Sequence, residues 1–179
     1  QVALSPMSMR LLALMPAMVV DLAVPAQVSA AIELRGNATT GTTASTDLTI
    51  DKPAGLVAGD VMIVNIAGIG SNDTSPNSDG WILINGADLG NAPPRYGAVL
   101  YRVADGTEEA SFTFTLGLGT TSAVGCIVAF SGVDTSGTDP FDAVPGAISV
   151  SFDKTTVVTA ASVNTASPNA AVIMFGMAA

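Results

Sequence analysis

The chain has 179 residues, room for one domain with a proper core, and 49% of them are hydrophobic although only 5% are aromatic. Six Lys and Arg stand against fifteen Asp and Glu, a formal net charge of −9, and no basic stripe exists to neutralise phosphates, so nucleic-acid binding is disfavoured. Histidine is absent, which removes Ser-His-Asp and Cys-His catalysis and the commonest zinc ligand.

Residues 1–30 differ from the rest. Arg10 precedes the apolar run Leu11 to Val20, and Val28-Ser29-Ala30 is a small-x-small ending. That pattern fits a secretory signal peptide. It also fits a structural arm that lies on a neighbouring subunit through Val2, Leu4, Met7, Met9, Leu11, Leu12, Leu14, Val19 and Val20. Pro16 and Asp21 make the run too short and too interrupted to span a bilayer.

From residue 31 to 179 the sequence predicts one β domain. Ala31 to Gly36 alternates apolar and charged residues, and Asn37 to Thr46 reads as a Thr/Gly/Ala-rich link. Asp47-Leu48-Thr49-Ile50 alternates again and stops at Lys52-Pro53-Ala54-Gly55, a turn signal. Gly59-Asp60 then launches the buried strand Val61 to Ala67. Ile69 to Gly80 is a polar loop, Trp81 to Ile84 a strand, Asn85 to Arg95 a second loop, and Tyr96 to Val103 a strand. Asp105 to Glu108 reads as a hairpin-type connection. Ala110 to Leu116 has strict period two, with Phe112, Phe114 and Leu116 on one face, and Ala123 to Phe130 is a second buried strand. After a loop over Ser131 to Asp142, strands are predicted over 148–152, 155–162 and 170–178. The last resembles Val61 to Ala67, so one kind of central strand is expected twice.

Roughly nine or ten short strands separated by turn signals, without a convincing helix, predict a two-sheet β-sandwich, jelly-roll or immunoglobulin-like. A resemblance runs through Lys52-Pro53-Ala54-Gly55, Gly59-Asp60-Val61-Met62, Gly80-Trp81, Leu100-Tyr101-Arg102-Val103-Ala104, Ala110-Ser111-Phe112-Thr113-Phe114, Ala129-Phe130-Ser131-Gly132-Val133-Asp134 and Pro140-Phe141-Asp142. Over residues 31–179 this order is similar to β-sandwich modules of secreted bacterial surface proteins and phage tail-fibre-like proteins. The resemblance carries no catalytic motif and implies a structural or adhesive role on a surface.

No chemistry stands out. Gly68-Ile69-Gly70 and Gly117-Leu118-Gly119-Thr120 lack the Gly-Lys-Ser/Thr of a phosphate loop and read as turns between strands. Asn72 to Gly80, and the loop with Asp134, Asp139 and Asp142, space oxygen ligands as calcium would accept, yet solvated turns are the simpler account. Trp81, Tyr96 and Tyr101 could stack on sugars, although Trp81 at a strand start is more often core or rim. Asn37-Ala38-Thr39 and Asn72-Asp73-Thr74 match the glycosylation sequon. The single cysteine, Cys126, sits in an apolar run and reads as a small buried hydrophobe.

With 12% of residues charged, the surface suits a protein that buries much of itself against copies of itself. An apolar strand over 170–178 without neighbours points the same way. The expected function is a non-enzymatic subunit of an extracellular or virion filament that assembles by strand or arm exchange. No cofactor or metal is expected. The alternative is a carbohydrate-binding or adhesion module that takes surface glycans, using Trp81 and Tyr96.

Overall fold

The structure, a computed structural model, describes residues 31–149 and 159–176. The described residues form strands and no helix. Six strands make the larger sheet: β1 (Glu33–Leu34), β2 (Thr39–Thr43), β4 (Val61–Ile69), β5 (Ile82–Asn91), β6 (Pro94–Val103) and β8 (Ser122–Ser131). The smaller sheet pairs β3 (Asp47–Asp51) with β7 (Ser111–Thr115). All pairings are antiparallel. The larger sheet runs in the order β1-β8-β4-β6-β5. β1 and β2 lie end to end along β8, β1 at Phe130 and Ser131 and β2 at Ala123 to Ile127. The chain is therefore an all-β, two-sheet sandwich, as its patterning predicts.

β4 holds the centre because it is apolar on both sides. Met62, Val64 and Ile66 point into the core shared with the small sheet, where Leu48, Ile50, Phe112 and Phe114 meet them. Val61 and Ile63 point to the other side, the outer face of the large sheet. A strand buried on both faces loses the period-two signature and reads as a continuous run. β3 and β7 are covered on one face only, and they keep the alternation: Leu48, Ile50, Phe112 and Phe114 are buried while Thr49 and Thr113 are exposed and hydrogen-bond each other at 3.0 Å.

Two glycines set how closely the layers approach. A Cβ on Gly68 would lie 2.3 Å from the ring of Tyr96, its register partner on β6. One on Gly125 of β8 would meet Ile50 Cδ1 at 2.7 Å and Leu48 Cδ2 at 3.0 Å. Both positions need the missing side chain to let the fully buried Tyr96, Ile50 and Leu48 fill the interior.

At the launch of β4, the Gly59-Asp60 turn is a three-way junction. The buried Asp60 carboxylate accepts hydrogen bonds from Arg35 Nε (2.8 Å), Arg35 Nη2 (3.0 Å) and the Val57 amide (3.0 Å). Its backbone carbonyl accepts from Ala104 at the end of β6, and Gly59 donates back to the Ala104 carbonyl, both at 2.8 Å. The hydrogen bonds that Arg35 donates to Asp60 hold its guanidinium above its ordinary pKa.

The structure departs from the sequence reading in several places. Residues 39–43, read as a link, form β2, because Thr-Thr-Gly-Thr-Thr pairs through its backbone with β8 and needs no apolar face. The predicted loop from Asn85 to Arg95 shrinks to a tight turn at Ala92-Pro93 with a cis peptide bond, and β5 and β6 extend to meet there. Two register shifts, at Leu83/Asn85 and Asp88/Gly90, break the alternation of β5 and hide it from a periodicity search. Asp105 to Glu108 is not a hairpin within one sheet, since it carries the chain from β6 in the large sheet to β7 in the small one. Cys126 faces outward on β8 and is half-buried, not enclosed.

The largest departure is C-terminal. Residues 148–149, 159–162 and 170–176 are not in strands. The remaining parts of those predicted strands, 150–152, 155–158 and 177–178, lie outside the described residues. The apolar run at 170–176 has the composition of a central strand, but among the described residues no strand pairs with it.

Candidate functional site: the outer sheet face

The two faces of the large sheet are covered unequally. The inner face packs on β3 and β7. The outer face carries Val61, Ile63 and Tyr101, ringed by Ile84, Val99, Val128 and Phe130 from the strands. What covers it is chain without regular structure: Val133 and Phe141 from the loop after β8, and Phe175 from the C-terminal segment. Phe141 meets Tyr101 edge-on, ring centroids 4.9 Å apart.

The cover is incomplete. Residues paired across neighbouring strands share a face, so Ile82, opposite Tyr101, and Val103, opposite Val61, belong to the outer face, as does Leu34, opposite Phe130. All three are exposed, Ile82 to 54%. Gly80, Ile82, Tyr101, Val103 and, from the covering loop, Thr135 and residues 137–140 line an open groove of about 260 Å³. In the covering segment itself, Val172 is 69% and Met174 62% exposed, with Ile173 also in solvent. Beside the groove, β5 is a sheet edge: among the described residues it pairs with β6 and with no strand on its other side. Isolated exposed apolar residues are ordinary, whereas a cluster around a half-covered sheet face makes this the candidate contact surface.

The C-terminal segment is fixed at two points. Phe175 anchors one end on the outer cluster. At the other, the Asp142 carboxylate accepts hydrogen bonds from the Ala166 and Ser167 amides. The Ser167 hydrogen bonds, more than that from Ala166, hold Asp142 below the usual carboxylate range. A depressed folded pKa means that the stabilisation is complete above the unfolded value of about 4 and is lost as pH falls through the folded one. Acidification below about pH 4 is therefore expected to lower the protection of the Ala166 and Ser167 amides relative to their intrinsic exchange rates at that pH, and Asp142→Asn to lower it already at neutral pH. Equal exchange in both proteins at neutral pH would show that this carboxylate does not hold the segment.

The other candidate residues divide clearly. Trp81 is 7% exposed and packs between Phe112 and Phe114, ring centroids 5.2 Å apart in both pairs. Tyr96 is fully buried against Gly68, and burial pushes its phenol up from its ordinary pKa. Neither presents a ring face to a sugar. Tyr101 is nearly buried but lines the groove.

In the loop Asn72 to Gly80, Asp73 accepts the Ser75 amide at 3.0 Å, and Asn77 bridges to Thr115 at the edge of β7. Asp134 accepts the Ser136 amide and Asp139 the Phe141 amide, both at 3.0 Å. These carboxylates cap turns, and among the described residues no group of three or more His, Cys, Asp or Glu converges to hold a metal. Asn37 and Asn72 of the two sequons are exposed. The candidate arm residues from Val2 to Val20 lie outside the described residues. The outer face was not legible in the sequence as a candidate surface. Its available signal was the exposed partner of each outward strand residue, which requires the register.

No known protein family, curated protein or solved structure matches the chain.

Proposed function

We propose that the protein is a structural, non-catalytic subunit that assembles with copies of itself by strand or arm exchange, as in an extracellular or virion filament. The observation that carries this reading is the outer face of the large sheet. It is apolar at its centre, covered among the described residues by irregular chain, and bordered by a sheet edge and by exposed Ile82, Val103, Val172 and Met174. Burying such surface contributes about 25 cal/mol per Å². A charged residue content of 12% lowers the desolvation cost of packing copies together.

A glycan-binding role draws less support, because the aromatic rings it needs at Trp81 and Tyr96 are spent in the core. The test is negative-stain electron microscopy of the full chain with sedimentation velocity over a range of concentrations. Filaments or concentration-dependent oligomers are expected. Monodisperse single particles at every concentration would overturn the reading.

A further inference from the structure

We infer that the C-terminal segment 170–176 of one copy is the donor, and that it adds to the free edge of β5 and the adjoining groove of a second copy. The inference rests on the self-assembly reading and names its contact.

Donor and acceptor lack the same thing. Ala170-Ala171-Val172-Ile173-Met174-Phe175-Gly176 is apolar, uncharged and rich in strand-favouring residues, yet it is in no strand. β5 is a strand with one side unpaired among the described residues, and Ile82 and Leu83 are exposed on it. Strand addition to an edge satisfies both: backbone pairing supplies the affinity, and alternate side chains enter pockets on one face. Extended, seven residues span roughly 23 Å, the length of most of β5.

The groove beside that edge suits side chains of such a strand. Its walls include Ile82, Tyr101, Val103 and Pro140, and among the described residues Asp139 is its one charged residue. A neutral segment brings no charge of its own into the groove, and the Asp139 carboxylate keeps the Phe141 amide as its donor. At about 260 Å³ the groove is smaller than the roughly 300–1,000 Å³ of a typical small-molecule site.

The segment does not fill its own groove. Its start is held at Asp142 and its end at Phe175, and between those anchors Val172 to Met174 stand in solvent while Ile82 and Val103 remain exposed on the same molecule. A donor patch and a different acceptor patch on one chain make a heterologous contact, which repeats head to tail and builds open chains unless the rotation closes a ring. A single added strand buries less than the roughly 800 Å² per partner of a standard interface. Association is therefore concentration-dependent.

The test uses two single-cysteine full-length chains in a Cys126→Ala background, one with Ile82→Cys and one with Ile173→Cys, both at exposed positions. Mixed and treated with a short bismaleimide, they are expected to give a cross-linked heterodimer, and the doubly substituted chain a ladder. Ile173→Asp, which changes a solvent-exposed side chain, is expected to weaken self-association at least tenfold by sedimentation with an unchanged melting temperature. Oligomers that persist undiminished in Ile173→Asp without an 82–173 cross-link would overturn this contact and leave self-assembly standing. Absence of oligomers in the unsubstituted chain would overturn both.

Discussion

Replacing Trp81 by alanine is expected to cost about 3–5 kcal/mol of stability, and so to act on the whole fold and not on a binding surface. The indole is 7% exposed and meets Phe112 and Phe114 edge-on. It joins the start of β5 in the large sheet to β7 in the small one, so its removal opens a cavity between layers and also forfeits two aromatic pairs, each worth about 0.5–1.5 kcal/mol beyond the area they bury. The melting temperature should fall by on the order of 10 °C. Trp81→Phe is the informative companion. It keeps most of the ring contact, and it removes the buried indole N–H, which has no hydrogen-bond partner among the described residues; an unsatisfied buried donor costs about 1–3 kcal/mol. The phenylalanine variant should therefore lose far less than the alanine one. Comparable losses would mean that the indole makes a hydrogen bond that matters. Unchanged stability in Trp81→Ala would place the side chain at a surface and reopen the glycan reading.

What the sequence made legible follows from how each strand is covered. β7 is buried on one side, so its Phe112 and Phe114 alternate with Ser111 and Thr113 and announce a strand. β4 is buried on both, and its unbroken apolar run announces a central one. β2 could not be read that way: Thr-Thr-Gly-Thr-Thr has no apolar stripe, and its strand depends on β8 and on Gly41, where a Cβ would strike the Thr49 carbonyl at 2.2 Å. β5 concealed its second half behind Asn85, Gly86 and Asp88 at shifted register. At 170–176 the local pattern is that of a strand, but a strand also needs an edge to pair with, and no local pattern reports whether one is available. The candidate surface is a further step removed. Ile82 is recognisable as a strand residue, but its exposure arises because no strand of the described residues lies over the outer face, a property of the topology and not of the local pattern.

The second large effect is expected at Asp60. Asp60→Ala should cost about 3 kcal/mol, on the reasoning that hydrogen bonds to charged groups contribute about 1.5–3 kcal/mol each and that solvent screening reduces the share of the ion pair. The carboxylate is 3% exposed and its partner Arg35 35%. Three donors converge on it, from Arg35 twice and from Val57. Alanine leaves the Val57 amide without that acceptor and the guanidinium free to turn to water. The loss reaches beyond the turn, because Arg35 lies just after β1 and the Asp60 backbone pairs with Ala104 just after β6. Those two strands lie on opposite sides of β4, so the junction ties three elements at one end of the sheet. Asp60→Asn keeps one acceptor oxygen, so a smaller loss is expected. If the Arg35 pair is the main term, Arg35→Ala combined with Asp60→Ala should cost little more than Asp60→Ala alone, and the double-mutant cycle should show clear coupling. Strict additivity in chemical denaturation would locate the effect in the Val57 turn instead. A negligible loss in Asp60→Ala would show that the β4 launch is held by its backbone pairing with Ala104.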